Sequence, residues 1–486
     1  MEDAYAATLK ALFGLRRFGV KLDLDGPRRA LCALGNPHLA YPALHVAGTN
    51  GKGSTAVMAA SMLTQAGLRV GLFTSPHLNR FTERIQVDGR EIDRPSVSHL
   101  FDQVSQVDAD LTFFERATLM AFSFFAEQKV DIAVVETGLG GRLDATNLVR
   151  SEVTVITQIG LEHTAYLGHS IRRIAWEKAG ILKPHTPAVL APGPRGAVRH
   201  TISAVARALN APFWWIPDQA RLVPASPEDD AWNGPWRYEV DDPELGHEVT
   251  VPTIGLQGPH QLTNAATAVT AARLAAAALG RTLDDSAVAK GLAQIHWPGR
   301  LDLVTRPSGV RFLLDGAHNP SAAEALTAAL GHFPHRRLLV VFGAMVGKDV
   351  ATVLSTILPL AHDVAFTRAA YYRAMAPTEL ARIAETVTTR RPRNPTALRN
   401  LPDLTEKARG QNTAGVPWSL FTGTAQALEW AESEANRDDL VLVTGSIFLV
   451  GEARALLTGE PTDPFQVTDP VNQTTYLGNP TAPTRA

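Results

Sequence analysis

The chain has 486 residues, 45% of them apolar and 19% charged, with a net charge of −2. That length suits two or three domains with sizeable cores, and the near-zero charge excludes a global basic field for nucleic acid, so an anionic ligand needs a local site. Cys32 is the single cysteine, which excludes intrachain disulfides and a cysteine-based zinc site and suits a reducing compartment.

The start of the chain lacks a signal pattern, and no apolar run nears the ~18 residues of a membrane span. A cytoplasmic protein with no membrane partner is expected. Residues 1–40 read as helical, with AYAATLKALFGLRRFG spaced for a helix that stops at Gly19. From residue 43 the pattern becomes α/β: ALHVA is a short strand, a glycine-rich turn follows, STAVMAASMLTQAG is a helix and LRVGLFT the next strand. DIAVVET (131–137) and EVTVITQIG (152–160) are further buried strands, and NAATAVTAARLAAAALG is an alanine-rich helix opening at Asn264. Continuous apolar strands separated by helices imply a parallel sheet covered on both faces.

QIHWPGR (294–300) interrupts this series, and a new α/β series follows in VRFLLDG, RRLLVVFGA, HDVAFTR and DLVLVTGS. The domain boundary is set near 296, giving an N-terminal domain 1–295, a C-terminal domain 296–460 and a frayed tail 461–486. Residues 390–418, rich in Pro, Arg and Asn, read as a long excursion.

HVAGTNGKGST (45–55) packs three glycines, Asn50 and Lys52 into a strand-to-helix turn. Backbone N–H groups of such a turn and the following helix N-terminus form an anion site. The stretch departs from G-x-x-x-x-G-K-S/T, with Val46 where a glycine is required and Gly53 after the lysine. An ordinary glycine-rich turn is the competing reading.

VVETGLGGRLDATN (134–147) ends a strand in Glu136 and runs into Gly138, Gly140 and Gly141. A carboxylate at the carboxyl end of a strand can hold a divalent cation. GLEHTAYLG (160–168) offers His163 beyond a third strand. In WEKAGILKP, spacing alone reads Lys178 as a solvated helical lysine. Asn264 in GPHQLTNAATA reads as a helix cap. Arg300 in WPGRLD can meet phosphate, and Asp315 in LLDGAHNPSAA a ribose hydroxyl, with His318 nearby. Singly, each has an equally good structural reading.

Together, VAGTNGKGS, TSPHLNRFTERI, VETGLGGRLDATN, GLEHT, WEKAG, HQLTNA, WPGRLD and DGAHNP resemble the motifs of the folylpolyglutamate synthase and dihydrofolate synthase family of the Mur ligase superfamily. The resemblance runs from about residue 10 to 457. It implies an α/β fold: an N-terminal P-loop mononucleotide-binding domain, a smaller Rossmann-like C-terminal domain, and ATP in the interdomain cleft.

The resemblance further implies that Asn50, Gly51, Lys52, Gly53 and Ser54 cradle the ATP phosphates. Asn264, Arg300, Asp315 and His318 would serve the nucleotide. Ser75, Glu136 and His163 would hold Mg2+, joined by Lys178 as a carbamate derived from CO2. Pterin contacts would come from Lys21, Leu22, Asp23, Leu24, Thr112, Leu143, Asp144 and Ala145. Two departures stand out: Glu162 replaces the family's usual Asp before the histidine, and Thr137 stands where Val is usual.

The implied reaction activates a substrate carboxylate as an acyl phosphate, which the amine of L-glutamate then attacks. Dihydropteroate or a folate would be the acceptor and the enzyme a monomer. A Mur-type amide ligase with a non-folate acceptor, or a nucleotide-binding protein without ligase chemistry, remain alternatives. TSPHLNRFTERI favours a folate.

Overall fold

Short, fully apolar strands bury both faces and therefore need helices on each side. In the computed structural model, which describes residues 2–15, 23–108, 110–191, 193, 196–226, 234–242, 247–387, 409–411 and 415–464, two such layered sheets face one another. Lys21, Leu22, most of the 390–418 excursion and the tail beyond 464 lie outside the described residues.

The first sheet comprises β1 (Ala43–Ala47), β2 (Val70–Phe73), β3 (Ile85–Val87), β4 (Arg90–Glu91), β5 (Ile132–Glu136), β6 (Ser151–Ile156), β7 (Ala188–Leu190) and β8 (Phe213–Trp215). Their order is β4-β3-β2-β5-β1-β6-β7-β8. β2, β5, β1, β6, β7 and β8 are parallel, and the β3–β4 hairpin adds an antiparallel edge. All five residues of β1 are buried. One face packs on helices Lys52–Gln65, Pro259–Ala278 and Asp285–Ala293. The other is covered by Glu2–Gly14, Arg94–Val107 and Phe113–Glu127, and beside β6 to β8 by Ile171–Ala179 and Gly196–Ala208.

The sequence reading misses a small antiparallel sheet of β9 (Ala220–Pro224), β10 (Trp236–Val240) and β11 (Val249–Val251). It also places the start of the alanine-rich helix too late. That helix begins at Pro259, with Gly258 as its N-cap at φ +102°. Proline at the first helical position is pre-organised for helix. Asn264 therefore lies buried inside the helix and caps nothing.

The second sheet holds β12 (Asp302–Thr305), β13 (Arg311–Asp315), β14 (Leu338–Phe342), β15 (Asp363–Phe366), β16 (Arg409–Gln411), β17 (Pro417–Leu420) and β18 (Leu440–Thr444). The order is β12-β13-β18-β14-β15-β17-β16. Its five inner strands are parallel and both edges antiparallel. β17 claims the end of the stretch read as an excursion. No described helix is long and apolar enough to cross a membrane.

Helix Lys52–Gln65, which carries the glycine-rich turn at its N-terminus, is seated by a close approach. A Cβ on Gly291 would lie 2.6 Å from the Met62 Cα, and the Ser61 hydroxyl donates to the Gly291 carbonyl at 2.8 Å. Gly291→Ala gains about 0.5–1 kcal/mol of helix propensity but forces two backbones apart, at about 1–3 kcal/mol. A net loss of stability in urea unfolding with an unchanged m-value is expected. Equal or greater stability would show that the helices separate freely.

Candidate active site

The glycine-rich turn connects β1 to helix Lys52–Gln65. A Cβ on Gly48 would sit 1.8 Å from the Thr157 Oγ1, so no side chain fits there. Gly51 is the helix N-cap at φ +84°, and its Cβ would lie 2.5 Å from the Asn264 Oδ1. No side chain caps this N-terminus, which leaves its N–H groups for an anion. Lys52 donates from Nζ to the Thr49 carbonyl at 3.1 Å and stands 3.8 Å from the Glu136 Oε1.

Glu136 closes β5 with 4% exposure. Its Oε2 accepts the Ser75 N–H at 3.1 Å. Burial pushes the carboxyl up, against the pull of Lys52 and the Ser75 N–H. His163, in the left-handed region at φ +51°, is lowered to about 3 by burial, aided by Lys348, Lys178 and Lys52 and opposed by Glu162. It is thus a neutral imidazole, the form that ligates metals.

Lys178 is no solvated lysine. It ends helix Ile171–Ala179 with 5% exposure, and its Nζ donates to the Gly48 carbonyl at 2.5 Å. Burial first and Lys52 second lower it to about 7. The glycines after Glu136 explain its seat. A Cβ on Gly141 would lie 2.9 Å from the Lys178 carbonyl, and one on Gly138 2.4 Å from the Phe114 ring. Their close approach is largely to the protein itself.

The other wall belongs to the second sheet. Asp315 ends β13, its two oxygens accepting the Leu301 N–H at 3.0 Å and the Ala317 N–H at 2.9 Å. Both oxygens keep lone pairs for a hydroxyl. Arg300 donates to the Gly299 carbonyl at 3.0 Å, and Asn264 to the Gln261 Oε1 at 2.9 Å. Asn50 spans the gap: its Oδ1 accepts the Asn319 Nδ2 at 3.0 Å, and its Nδ2 donates to the Ser321 Oγ at 2.8 Å. His318 lies 2.8 Å from the Gly316 carbonyl through Nδ1 and 2.9 Å from the Glu162 Oε1 through Nε2. Lys348 donates to that same oxygen at 2.9 Å.

A cleft of about 600 Å³ between the two sheets is lined by Asn50 to Ser54, Ser75, Glu136, His163, Asn264, Arg300, Asp315 and His318. Lys178 lies just behind it, under Gly48. Thr112, Leu143, Asp144, Ala145, Asp23 and Leu24 are not on its lining. Thr112 caps helix Phe113–Glu127, accepting the Glu115 N–H at 3.3 Å and donating its own N–H to Glu115 at 2.7 Å. Asp144 is buried, accepting the Leu139 N–H at 2.7 Å and the Thr146 N–H at 3.0 Å. Leu143 and Ala145 flank it, half-buried and buried. Asp23 accepts the Asp25 N–H at 3.1 Å, and Leu24 occupies the N-cap of helix Asp25–Ala33. Phe114, in the first turn of helix Phe113–Glu127, abuts Gly138 on the cleft wall.

Lys348, His260 and Ser446 also line the cleft and were not singled out from sequence. Lys348 follows β14 in FGAMVGKDV, so the strand-end rule that flagged Asp315 also points to it.

Residues 46–192 match the Mur ligase middle domain and residues 299–447 the Mur ligase, glutamate ligase domain. A dihydrofolate synthase/folylpolyglutamate synthase of Bacillus subtilis is 33% identical over 470 residues, covering 94% of this chain and 100% of that protein. A probable bifunctional folylpolyglutamate synthase/dihydropteroate synthase of Haloferax volcanii is 34% identical over 93% of this chain. The chain spans about half that protein's length, 50%. A Mycobacterium tuberculosis folylpolyglutamate synthase solved with ADP and AMPPCP superposes with a TM-score of 0.80 and 29% identity, over 95% of this chain and 100% of that one. At 33% identity over 94% of this chain and 100% of that relative, and with both Mur ligase domains matched, the chain belongs to the dihydrofolate synthase/folylpolyglutamate synthase family, built on Mur ligase domains.

Proposed function

We propose that the chain is an ATP-dependent ligase joining L-glutamate to the carboxylate of dihydropteroate, of a folyl-(poly)glutamate, or of both. The observation that carries this reading is the cleft itself. It sets an uncapped helix N-terminus with Lys52, Glu136 and a neutral His163 on one wall against Asp315 and His318 on the other.

A carboxylate is a poor electrophile. Transfer of the γ-phosphoryl group of ATP converts it to an acyl phosphate. The work of this chain is positioning and charge neutralisation: the N–H groups at the uncapped helix N-terminus and Lys52 hold the phosphates, and Asn264, Arg300 and Asp315 contact the nucleotide from the other side. The glutamate amine then attacks the acyl carbon and phosphate leaves. The two walls exclude water from the labile intermediate.

The donors also suit a divalent cation. Among the described residues no three His, Cys, Asp or Glu side chains gather as a metal cage. Ser75, Glu136 and His163 offer a partial set of two oxygen donors and one imidazole, which suits Mg2+ completed by substrate phosphates and water. Bound there, the ion would neutralise phosphate charge. A Lys178 lowered to about 7 holds a large share of neutral amine at physiological pH, the form that adds CO2. The resulting carbamate would supply an anionic oxygen where a bare ammonium repels cations. Asp23, Leu24, Thr112 and Leu143 to Ala145 would bound the pterin end.

Phosphate release in the presence of ATP and L-glutamate, measured with dihydropteroate, with tetrahydrofolate and with neither, tests the reading. Stimulation by at least one pterin is expected. Glutamate-independent turnover, or none with either pterin, would overturn it. Lys52→Ala and Glu136→Ala are each expected to lower turnover about a hundredfold or more, whereas Cys32→Ser leaves it intact. A near-wild-type rate in either of the first two sinks the site assignment.

Isotopically labelled bicarbonate is expected to place a carbamate carbon signal on the protein at neutral pH. The signal declines as pH falls through about 7, where Lys178 takes up a proton, and is absent in Lys178→Arg. An unchanged signal in that variant would reject the carbamate at this lysine.

A further inference from the structure

Glu162 belongs to the lobe of the first sheet, in the loop after β6, yet its hydrogen-bond partners come from the other lobe. Its Oε1 lies 2.9 Å from the Lys348 Nζ, in the loop after β14, and 2.9 Å from the His318 Nε2, in the loop after β13. The Glu162 and Lys348 side chains are 11% and 15% exposed. The ion pair thus crosses the cleft at the carboxyl ends of both sheets, beside His163, whose Nε2 lies 3.7 Å from the Glu162 Oε1.

We propose that Glu162 is a cross-cleft positioning residue: it tethers Lys348 and His318 over the reacting end of the cleft and so keeps the lobes closed while the acyl phosphate exists. The proposal rests on the ligase reading above. Two charges in a low-dielectric gap attract strongly, and a charge-assisted hydrogen bond is short and directional. Lys348, freed of its carboxylate, would relocate toward any incoming phosphate or carboxylate. Glu162 sets where that ammonium stands before the anion arrives. An aspartate at this position would keep the charge but fall one methylene short of the 2.9 Å contacts.

A loosened closure admits water, so its signature is uncoupling rather than slow chemistry. Phosphate released per glutamate incorporated is the readout, since a purely structural defect lowers both together. In Glu162→Gln, incorporation per phosphate is expected to drop roughly ten- to hundredfold, the scale of a lost charged hydrogen bond. Lys348→Met is expected to uncouple similarly, and the double variant to be no worse than either single one. Glu162→Asp retains the charge and recovers part of the coupling. An unchanged ratio in Glu162→Gln, additive effects in the double variant, or an aspartate no better than the glutamine would each overturn the proposal.

A second measurement does not depend on ligase activity. A dye pair on the exposed Cys32 and on an introduced Glu385→Cys reports the distance between lobes by energy transfer. Glu162→Gln is expected to lengthen and broaden that distance in the otherwise intact protein, and an unchanged distribution overturns the latch. If wild type shows no pterin-dependent phosphate release but the distance still responds to Glu162, the ligase reading fails while the tether stands.

Discussion

A carboxylate buried at the end of a sheet strand sets the terms for the rest of this molecule. Glu136 is 4% exposed, yet among the described residues its cation partner, Lys52, stands 3.8 Å away and a single backbone N–H, that of Ser75, reaches it at 3.1 Å. An ionised group so placed is costly unless something further compensates it. The surroundings are arranged around that deficit: an imidazole kept neutral, a lysine amine held near neutrality, and a helix N-terminus left uncapped. A metal–phosphate ligand would meet all three at once.

Parallel-sheet topology delivers these groups to one place. Lys52 opens the helix after β1, Glu136 ends β5 and His163 follows β6, while the loops after β13 and β14 carry His318 and Lys348. In a parallel sheet all such loops emerge at the same edge, so residues far apart in sequence converge without long excursions. Residues at the carboxyl ends of strands from both sheets then line a single cleft.

This regularity explains what the sequence made legible. Buried strands are continuous apolar runs, and a polar residue with glycine just past each run marks the working edge, as with Glu136 and Asp315. What escaped depends on contacts rather than local pattern. The strands β9 to β11 are short and interrupted by polar residues. Lys178 sits in an unremarkable helical stretch, and only the close packing of Gly141 against its carbonyl sinks it beneath the phosphate-type turn. Asn264 lies where a cap was expected because the helix draws its start from Gly258 and Pro259. Cross-lobe partners such as Glu162 with Lys348 leave no periodicity at all. The glycines after Glu136 were legible as a close approach, but its object, the helix bearing Lys178 and the ring of Phe114, was not.

The glycine after Lys52 illustrates how a motif can lose a residue without losing its chemistry. A Cβ at Gly53 would lie 3.5 Å from the Glu136 Oε2 and from the Trp297 ring, an ordinary contact. A methyl therefore fits, and sterics alone do not demand glycine. A hydroxyl-bearing residue there would compete for the ground between Lys52 and Glu136. The hydroxyl proposed for the cation comes instead from Ser75, in the loop after β2, whose own N–H is tied to Glu136 at 3.1 Å. Donor and carboxylate are then registered to each other by a backbone hydrogen bond, and in the proposed ligase the phosphates fall to Lys52 and the uncapped helix N-terminus, since the Thr49 and Asn50 N–H groups already donate to the Gln158 carbonyl.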